Sequence, residues 1–239
     1  MQQTGKKFII YAYRLTNDTG SAPCIYDLNG NPTGVLTLVC CKGGQIRHKN
    51  TQNEREIKTG LRHIIGKKHK EKIGNGQDEV YLMGIYKNKL LYFAKIAKIL
   101  NMEDYFDPNS PYKGRHDDIY EIFSGGFKRN VNNPKFHPKG QIEVHRKDWL
   151  GGYALISNCF AYWGKESKVM PQNLLKMLPL FQGHKCYELN TPEGMQIMCF
   201  VEKLWDFKNI IQKSPHDYIN NINSKGCGKN ENHPVPQGI

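Results

Sequence analysis

Apolar residues occur along this chain mostly in short runs bounded by Gly, Pro, Asn and Asp, a pattern that is typical of β-strands. Residues 8–15 form the first run, and residues 35–41 form a second, β-branched one. The clearest signal is a pair of apolar runs, residues 79–86 and 90–99, separated by Lys-Asn-Lys. Two such runs around a short connection predict a β-hairpin.

Later parts of the chain add further strands and a few helices. Strands are predicted at residues 119–123 and 153–163. Helices are predicted at residues 53–66, 101–106, 171–181 and 206–214, and residues 195–205 fit either a helix or a strand. The order predicts an α+β protein with a β-rich core over residues 1–168. We expect residues 169–239 to form a helical C-terminal extension packed on that core, with a disordered tail from about residue 221.

The composition narrows the class of protein. The 239 residues have 38% hydrophobic content, which is enough for a sizeable core, and no run reaches the roughly 18–20 apolar residues of a membrane span. The first apolar run is short and is followed by Arg14, so a strand is favoured over a signal peptide. The seven cysteines contain no Cys-x-x-Cys pair, which favours reduced thiols. We therefore expect a cytoplasmic protein without a membrane partner.

Charge is the strongest compositional feature. There are 34 Lys and Arg against 22 Asp and Glu, a net charge of +12. Many of the basic residues lie within residues 42–72. An excess of this kind favours binding to polyanions, and we expect nucleic acid or a nucleotide as the partner. The alternative is a solvated basic surface without a ligand.

A strand that ends in a Gly-rich turn is the first candidate site. Lys42 and Arg47 bracket Gly43 and Gly44, so backbone N–H groups and two cations could meet an anion there. The alternative is a plain turn with two surface cations. Cys41 precedes Lys42, and a neighbouring cation lowers the pKa of a thiol, so Cys41 is a candidate catalytic group.

Two loops supply carboxylates for a candidate site. Asp18 lies in the loop after the first strand, and Asp118 follows Arg115 in a second loop. Carboxylates beside a cation could act as a general base or bind a ribose, and Arg115 could contact phosphate. Aspartates in loops also commonly form turns and helix caps. His116, His137 and His145 do not have metal-ligand spacing, so no metal and no cofactor is expected.

Aromatic residues complete the candidate ligand site. The strand over residues 153–163 carries Ser157 and Tyr162 among apolar neighbours. Tyr13, Tyr120 and Tyr162 could stack on bases, and Ser157 could bind a polar base edge. Packing in the core is the alternative for aromatic residues in such a strand.

Taken together and in order, these segments resemble the nucleotide modification associated domain 2 family. The similar segments are residues 8–13 and 18–23, residues 36–42 with Ile46 and Arg47, residues 91–96 and 104–106, residues 118–120, and residues 154–157 with 160–164. They span roughly residues 8–168. The sequence has Gly43 and Gly44 where this family usually has a proline after its Cys-Lys pair.

The resemblance implies an association with phage and bacterial systems that make, recognise or process modified nucleobases. It implies no particular reaction. The order of strand, basic loop, hairpin and helix is also similar to that of small β-barrel domains of the PUA, ASCH and EVE type, which bind a base or nucleotide in an aromatic pocket. That similarity concerns the fold alone.

Three functional hypotheses follow. The first is a module that recognises a base or nucleotide. The tyrosines would stack on the base, Ser157 and Asp118 would bind its polar edges, and phosphate would be held by Lys42, Arg47 and Arg115. The second is an enzyme that acts on nucleotides or nucleic acid, a hydrolase or a base-modifying transferase. Its catalytic groups would be Asp18, Cys41 and Asp118, assisted by Lys42. The third is an interaction factor in phage–host conflict, whose basic surface binds a protein partner from the same gene system.

Overall fold

The computed structural model describes residues 5–48, 55–124, 126–130, 148–180 and 183–217. Its strands in chain order are β1 (Lys7–Arg14), β2 (Cys24–Tyr26), β3 (Pro32–Leu38), β4 (Gly44–His48), β5 (Arg55–Thr59), β6 (Asp78–Tyr86), β7 (Lys89–Lys95), β8 (Lys98–Asn101), β9 (Tyr120–Phe123), β10 (Gly126–Arg129), β11 (Tyr153–Ser157), β12 (Cys159–Tyr162), β13 (Lys168–Val169), β14 (His184–Glu188) and β15 (Ile211–Gln212). Its helices are α1 (Leu61–Gly74), α2 (Met102–Phe106), α3 (Gln172–Met177) and α4 (Pro192–Glu202).

The main sheet of the described residues has seven strands, with β6 and β7 at its centre. Its order is β14–β1–β6–β7–β12–β15, and β13 pairs with β7. β1 and β6 are parallel, and α1 lies in the chain segment that connects them. Ile9, Tyr11 and Tyr13 enter one core while Ile10 and Ala12 enter another. Because side chains alternate between the two faces of a strand, a strand covered on both faces is apolar at nearly every position.

A second, four-stranded sheet has the order β2–β3–β11–β8. Two of the connections between the two sheets are short, from β7 to β8 and from β11 to β12. The two crossings are adjacent, since the Ala97 N–H donates to the Ile156 carbonyl at 2.8 Å. Ser157 Oγ donates to the Cys159 carbonyl at 2.9 Å and so holds the second crossing. The sheets do not close into a barrel within the described residues, and the expected PUA-like barrel is not confirmed.

Among the described residues, the buried apolar side chains form three clusters. The first lies between the two sheets and includes Leu61 and Ile65 of α1. The second lies on the other face of the main sheet, where Leu174 of α3 and Ile197 of α4 cover it. The third surrounds Phe106 of α2. The protein is thus a β-rich α+β fold, in agreement with the expected class.

Several predicted elements occur where the pattern placed them. β1, the β6–β7 hairpin and β9 match their predicted runs, and residues 195–205 fall mostly in α4. The predicted strand at residues 153–163 is divided at Asn158, where the chain changes sheets. The helix predicted at residues 53–66 begins instead at Leu61, because residues 55–59 pair with β4. The helix predicted at residues 206–214 was wrong, since this segment contains no helix and includes β15.

The segment after residue 168 is more than a helical extension. It contributes β14, which pairs with β1, and β15, which pairs with β12. Helices α3 and α4 pack against the same sheet. The predicted disorder from about residue 221 concerns positions outside the described ranges. In the part of the chain that is described, no helix has the length and apolar character needed to cross a membrane.

Candidate functional site

Three tyrosines lie in one row across the main sheet. Tyr13 on β1 is in register with Gly84 on β6, and Gly84 is in register with Tyr92 on β7. Tyr92 is in register with Tyr162 on β12. Side chains at paired positions of neighbouring strands share one face of a sheet. We refer to Tyr13, Tyr92 and Tyr162 as the tyrosine row.

A hydroxyl contact and a ring stack join the members of the tyrosine row, and the hydroxyl of Tyr162 contacts Asp18. The Tyr13 and Tyr92 hydroxyl oxygens are 2.5 Å apart, and the Tyr92 ring is stacked on Tyr162 with a centroid distance of 6.4 Å. All three side chains are at most 1% exposed. Burial is the main cause that raises the pKa of each phenol, so the row is neutral and acts through hydrogen bonds. Gly84 provides the space, because a Cβ there would lie 3.0 Å from Cζ of Tyr92 and closer still to two other ring carbons.

At one end of the row, a buried carboxylate joins a histidine. The Tyr162 hydroxyl donates to Asp18 Oδ1. The second oxygen, Asp18 Oδ2, accepts the His216 backbone N–H at 2.8 Å and lies 2.8 Å from His216 Nδ1. His216 is half-buried, and its Nε2 is 3.4 Å from Ser167 Oγ. A carboxylate on one imidazole nitrogen fixes the orientation of the ring.

At the other end of the row, an unusual turn positions a lysine. Cys41 and Lys42 have φ angles of 59° and 53°, in the left-handed region that costs a residue other than glycine roughly 1–3 kcal/mol. The Cys41 N–H donates to Asp148 Oδ1 at 2.6 Å, and Arg62 Nε donates to the Cys41 carbonyl at 2.7 Å. These buried partners hold the turn in place. Lys42 Nζ then donates to the Arg14 carbonyl at 3.1 Å and lies 5.3 Å from the centre of the Tyr13 ring.

Arg62 is the buried support of this turn. It is fully buried on α1 and also donates to the carbonyls of Tyr153, at 2.6 Å, and Asp148. Burial lowers the pKa of the guanidinium, and Asp148 opposes this shift. Sequence reasoning missed Arg62, because it lies within a run of basic residues and only its place on the buried face of α1 distinguishes it.

Arg115, predicted to bind phosphate, lies inside the protein. Its Nη2 donates to the carbonyls of Cys24 and Val35, both at 3.0 Å, and Nη1 donates to Thr33 Oγ1 at 2.6 Å. Its Nε is 3.5 Å from Asp117. These contacts fasten the 115–118 loop to β2 and β3, so the structure gives Arg115 a role in the interior and none at the tyrosine row.

Asp118, Tyr120 and Ser157 also lie apart from the row. Asp118 accepts from Lys113 Nζ at 3.0 Å and from the Gly114 N–H at 3.1 Å, and it therefore stabilises its own loop. Tyr120 is fully buried and leaves no ring face for a base to stack on. Its hydroxyl donates to Asp148 Oδ2 at 3.2 Å, which places it behind the Cys41 turn. Ser157 holds the crossing between the sheets.

Of the predicted site residues, the structure brings together Asp18, Tyr162, Tyr13, Lys42 and Cys41. Arg47 lies in β4, whose backbone pairs with β5, and the described structure does not extend to its side chain. Tyr92 and His216 belong to the site and were not predicted. Tyr92 lies in the predicted hairpin, and only its strand register with Tyr162 shows that it belongs to the tyrosine row. Within the described residues, no group of His, Cys, Asp and Glu is arranged to hold a metal ion.

The fold and the site define an α+β protein with a mixed main sheet, crossed by a buried tyrosine row that ends at a basic turn. The chain matches the model of the nucleotide modification associated domain 2 over residues 7–222. It therefore belongs to this family, as the resemblance indicated, and the match continues past residue 168 through β15. No curated protein and no solved structure matches the chain.

Proposed function

We propose that this protein binds a nucleotide or a nucleic-acid strand at the Lys42 end of the tyrosine row. The observation that carries the proposal is the turn at Cys41 and Lys42, in which two consecutive residues other than glycine are left-handed. Two-residue hairpin turns such as Lys87 and Asn88 require this conformation, but Cys41 and Lys42 do not connect paired strands of the described structure. Outside hairpin turns, such strained residues cluster at functional sites, where surrounding contacts hold them. The strained turn places the ammonium group of the half-buried Lys42 beside the ring of Tyr13.

Two further cations lie at the same end of the main sheet, and with Lys42 they form what we call the cationic rim: Arg14, Lys42 and Lys87. Lys42 Nζ contacts the backbone of Arg14, and Arg14 Nη1 donates to Asn88 Oδ1 at 2.7 Å in the β6–β7 turn. Lys87 occupies that turn, with its Nζ 5.0 Å from the centre of the Tyr86 ring. Cations from three chain segments favour a phosphate ligand.

The tyrosine row contributes rigidity rather than a stacking surface. Its rings are buried, so they hold Tyr13 beneath Lys42 and connect this end of the sheet to Asp18. The proposed contact of the rim is therefore the phosphate. The association of the family with nucleotide modification supports a modified base as the part that distinguishes the ligand.

The test is fluorescence polarisation with labelled single-stranded DNA, duplex DNA and RNA at several salt concentrations. Free nucleotides with ordinary and modified pyrimidines serve as competitors. Lys42→Gln removes one proposed phosphate contact. We expect affinity to fall about 10- to 100-fold, because the free energy of one charge-assisted hydrogen bond corresponds to a change of that size. The slope of log affinity against log salt should decrease by about 1. Lys203→Gln, the same change at an exposed lysine after α4, is the matched control.

Equal affinity of the Lys42 and Lys203 variants would show that binding depends on net charge alone and would refute a site at the rim. Binding that disappears at moderate salt for every probe would have the same meaning. Absence of binding to any probe would favour the hypothesis of an acidic protein partner, to be tested with co-purified proteins from the same gene system.

A second candidate function, an enzyme acting on nucleotides, is supported by the pair formed by Asp18 and His216. A half-buried imidazole oriented by a buried carboxylate is the arrangement of a general base. Chromatography of nucleotides incubated with the protein would detect turnover. Asp18→Asn should abolish turnover while binding at Lys42 persists. Turnover that survives Asp18→Asn would exclude this pair as the catalytic base.

A further inference from the structure

The turn before β13 carries a serine that faces the imidazole of His216. Ser167 follows a short 3₁₀ turn, Gly164–Glu166, and is 9% exposed. Its Oγ is 3.4 Å from His216 Nε2, and His216 Nδ1 is 2.8 Å from Asp18 Oδ2. A hydroxyl, an imidazole and a carboxylate in this order are the components of an activated serine nucleophile. Nucleophile and base are often this far apart until substrate binds. We refer to Ser167, His216 and Asp18 as the serine site.

The hydrogen bonds of the serine site have a defined direction. The Asp18 carboxylate can only accept, so we assign the Nδ1–H of His216 as the donor to it, and Nε2 is left as an acceptor. The Ser167 hydroxyl then donates to Nε2. The Tyr162 hydroxyl donates to the other carboxylate oxygen of Asp18, so the carboxylate is itself held in place. It therefore fixes the imidazole in the orientation that receives the serine proton.

Three contacts fasten the serine turn to the segment that carries the imidazole. The Lys165 N–H donates to the Ser214 carbonyl at 2.8 Å. Lys213 Nζ lies 3.2 Å from Glu166 Oε1. Gly164 has a φ angle of 51°, and a Cβ at this position would clash with the Ser214 carbonyl. The glycine therefore permits the close approach of the two segments.

The segment with the imidazole is also fastened to the Asp18 loop. The Asp217 N–H donates to the Asp18 carbonyl at 2.9 Å, and the Asp18 N–H donates to Asp217 Oδ2 at 3.3 Å. The Tyr86 hydroxyl donates to the same Asp217 oxygen at 3.1 Å, and the Tyr86 ring lies 5.0 Å from the His216 ring between centroids. Because several chain segments hold His216, its position beside Ser167 does not depend on one hydrogen bond.

A cation near the serine site indicates the charge of its substrate. Lys87 Nζ lies 5.0 Å from the centre of the Tyr86 ring, which is also the ring that contacts His216. Lys87 belongs to the cationic rim, so the proposed phosphate site and the serine site share one aromatic neighbour. A phosphate held at Lys87 would keep the adjoining part of its molecule close to Ser167, which is the positioning that a nucleophile requires.

We propose that Ser167 is the nucleophile of an esterase site, with His216 as its base, for carboxylic esters of phosphate-bearing compounds such as nucleotides. The proposal rests on the second candidate function, in which Asp18 and His216 form the base. Ser167 Oγ forms a bond to the ester carbonyl carbon while its proton passes to His216 Nε2. The bond from this carbon to the leaving oxygen breaks with its electron pair on oxygen, which takes the proton from the imidazolium. Water then releases the acyl group by the same two proton transfers, which yields a carboxylic acid and restores Ser167.

The first test is labelling of the protein with diisopropyl fluorophosphate, followed by peptide mass spectrometry. Ser167 Oγ would form a bond to phosphorus, fluoride would leave with the electron pair of the P–F bond, and His216 would accept the serine proton. We expect an adduct on Ser167 in the wild type. His216→Gln should slow its formation about 100- to 10,000-fold, the usual contribution of a general base. Absence of a Ser167 adduct in the wild type, or an unchanged rate in folded His216→Gln, would overturn the proposal.

Ser110→Ala is the matched control for Ser167→Ala in this experiment. Ser110 is 8% exposed, and its Oγ accepts the Tyr112 N–H at 3.3 Å. Ser167→Ala should remove the adduct, whereas Ser110→Ala should leave the rate of labelling unchanged. Equal labelling of both variants would place the reactive group elsewhere and overturn the proposal.

The second test concerns the phosphate of the substrate. It compares hydrolysis of an acetyl ester on the ribose of adenosine monophosphate with hydrolysis of para-nitrophenyl acetate. In Lys87→Gln, the ratio of kcat/KM for the nucleotide ester to that for the neutral ester should fall about tenfold or more, since a hydrogen bond to a charged group has an effect of this size. An unchanged ratio would overturn the assignment of a phosphate-bearing substrate.

The labelling result separates this proposal from the function on which it rests. A Ser167 adduct in a protein that does not turn over nucleotides would support the nucleophile and refute the second candidate function. Nucleotide turnover that requires Asp18 and survives Ser167→Ala would support the base formed by Asp18 and His216, acting on water, and would overturn the role of Ser167.

Discussion

Gly84→Ala is expected to destabilise the protein through the tyrosine row. The added Cβ would lie 3.0 Å from Cζ of Tyr92 and closer to two other ring carbons, whereas carbon atoms pack best at about 3.5–4.0 Å. The ring must therefore retreat by roughly 1–2 Å, within a core where overpacking costs about 1–3 kcal/mol. The retreat would also break the buried hydroxyl pair of Tyr13 and Tyr92, a loss of about 1 kcal/mol or more.

The backbone preference of alanine over glycine returns only about 0.5–1 kcal/mol, so we expect a net loss of about 1–3.5 kcal/mol. Urea denaturation followed by circular dichroism measures this change. Gly74→Ala is the control, because a Cβ there meets no atom within 4 Å at the end of α1; its stability should be unchanged or higher. Neutral substitutions usually change the free energy of unfolding by no more than ~0.5 kcal/mol. A change within that range for Gly84→Ala would refute the packing argument.

Two further predictions concern charged groups. Arg115→Met should lower the free energy of unfolding, measured by urea denaturation, by about 3–5 kcal/mol, because it leaves buried acceptors and Asp117 without their cation. Lys113→Met removes a partly exposed ion pair and should lower it by less than about 1 kcal/mol. Equal losses in the two variants would contradict the assigned roles. Burial raises the pKa of Glu79, but hydrogen bonds from Lys6, Lys95 and a tyrosine outweigh it and lower that pKa from 4.5 to about 2. The resulting stability is present above pH 4.5 and lost as pH falls towards 2. Between pH 4.5 and 2, the free energy of unfolding of the wild type should fall by roughly 1 kcal/mol from this group, because its lysine partners are exposed. The same plot for Glu79→Gln should be flatter. Parallel plots for the two proteins would contradict this role of Glu79.

The parts of the fold that the sequence predicted are those with local causes. β1 and the β6–β7 hairpin have continuous apolar runs because both faces of the main sheet are covered, and the two-residue turn at Lys87 and Asn88 is left-handed as such hairpins require. The helix was misplaced because residues 55–59 form a hairpin with β4, and this pairing overrides a helical spacing that Leu61 and Ile65 follow correctly. Propensity alone does not report such pairing.

The site was predicted in part for the same reason. Asp18, Lys42 and Tyr13 could be singled out because loops and strand ends with charges near aromatics are distinctive within a short window. Their partners could not, since Tyr92 and His216 join them only through strand register and long-range contacts. Arg115 and Asp118 have the composition of a ligand site, yet their loop folds back onto β2 and β3. Whether these two residues face a ligand or the protein interior depends on their burial, and residue type alone does not determine burial.

The contact between Asp18 and His216 has a consequence for how the protein is made. The two residues are 198 positions apart. At translation rates of roughly 5–20 residues per second, about 10–40 seconds separate their synthesis. A nascent chain can pair β1 with β6 early, but the carboxylate at the end of the tyrosine row lacks its histidine until residue 216 has left the ribosome. Messages cut short before that codon would yield proteins with most of the main sheet and an incomplete site, so this site is assembled only in chains translated through residue 216.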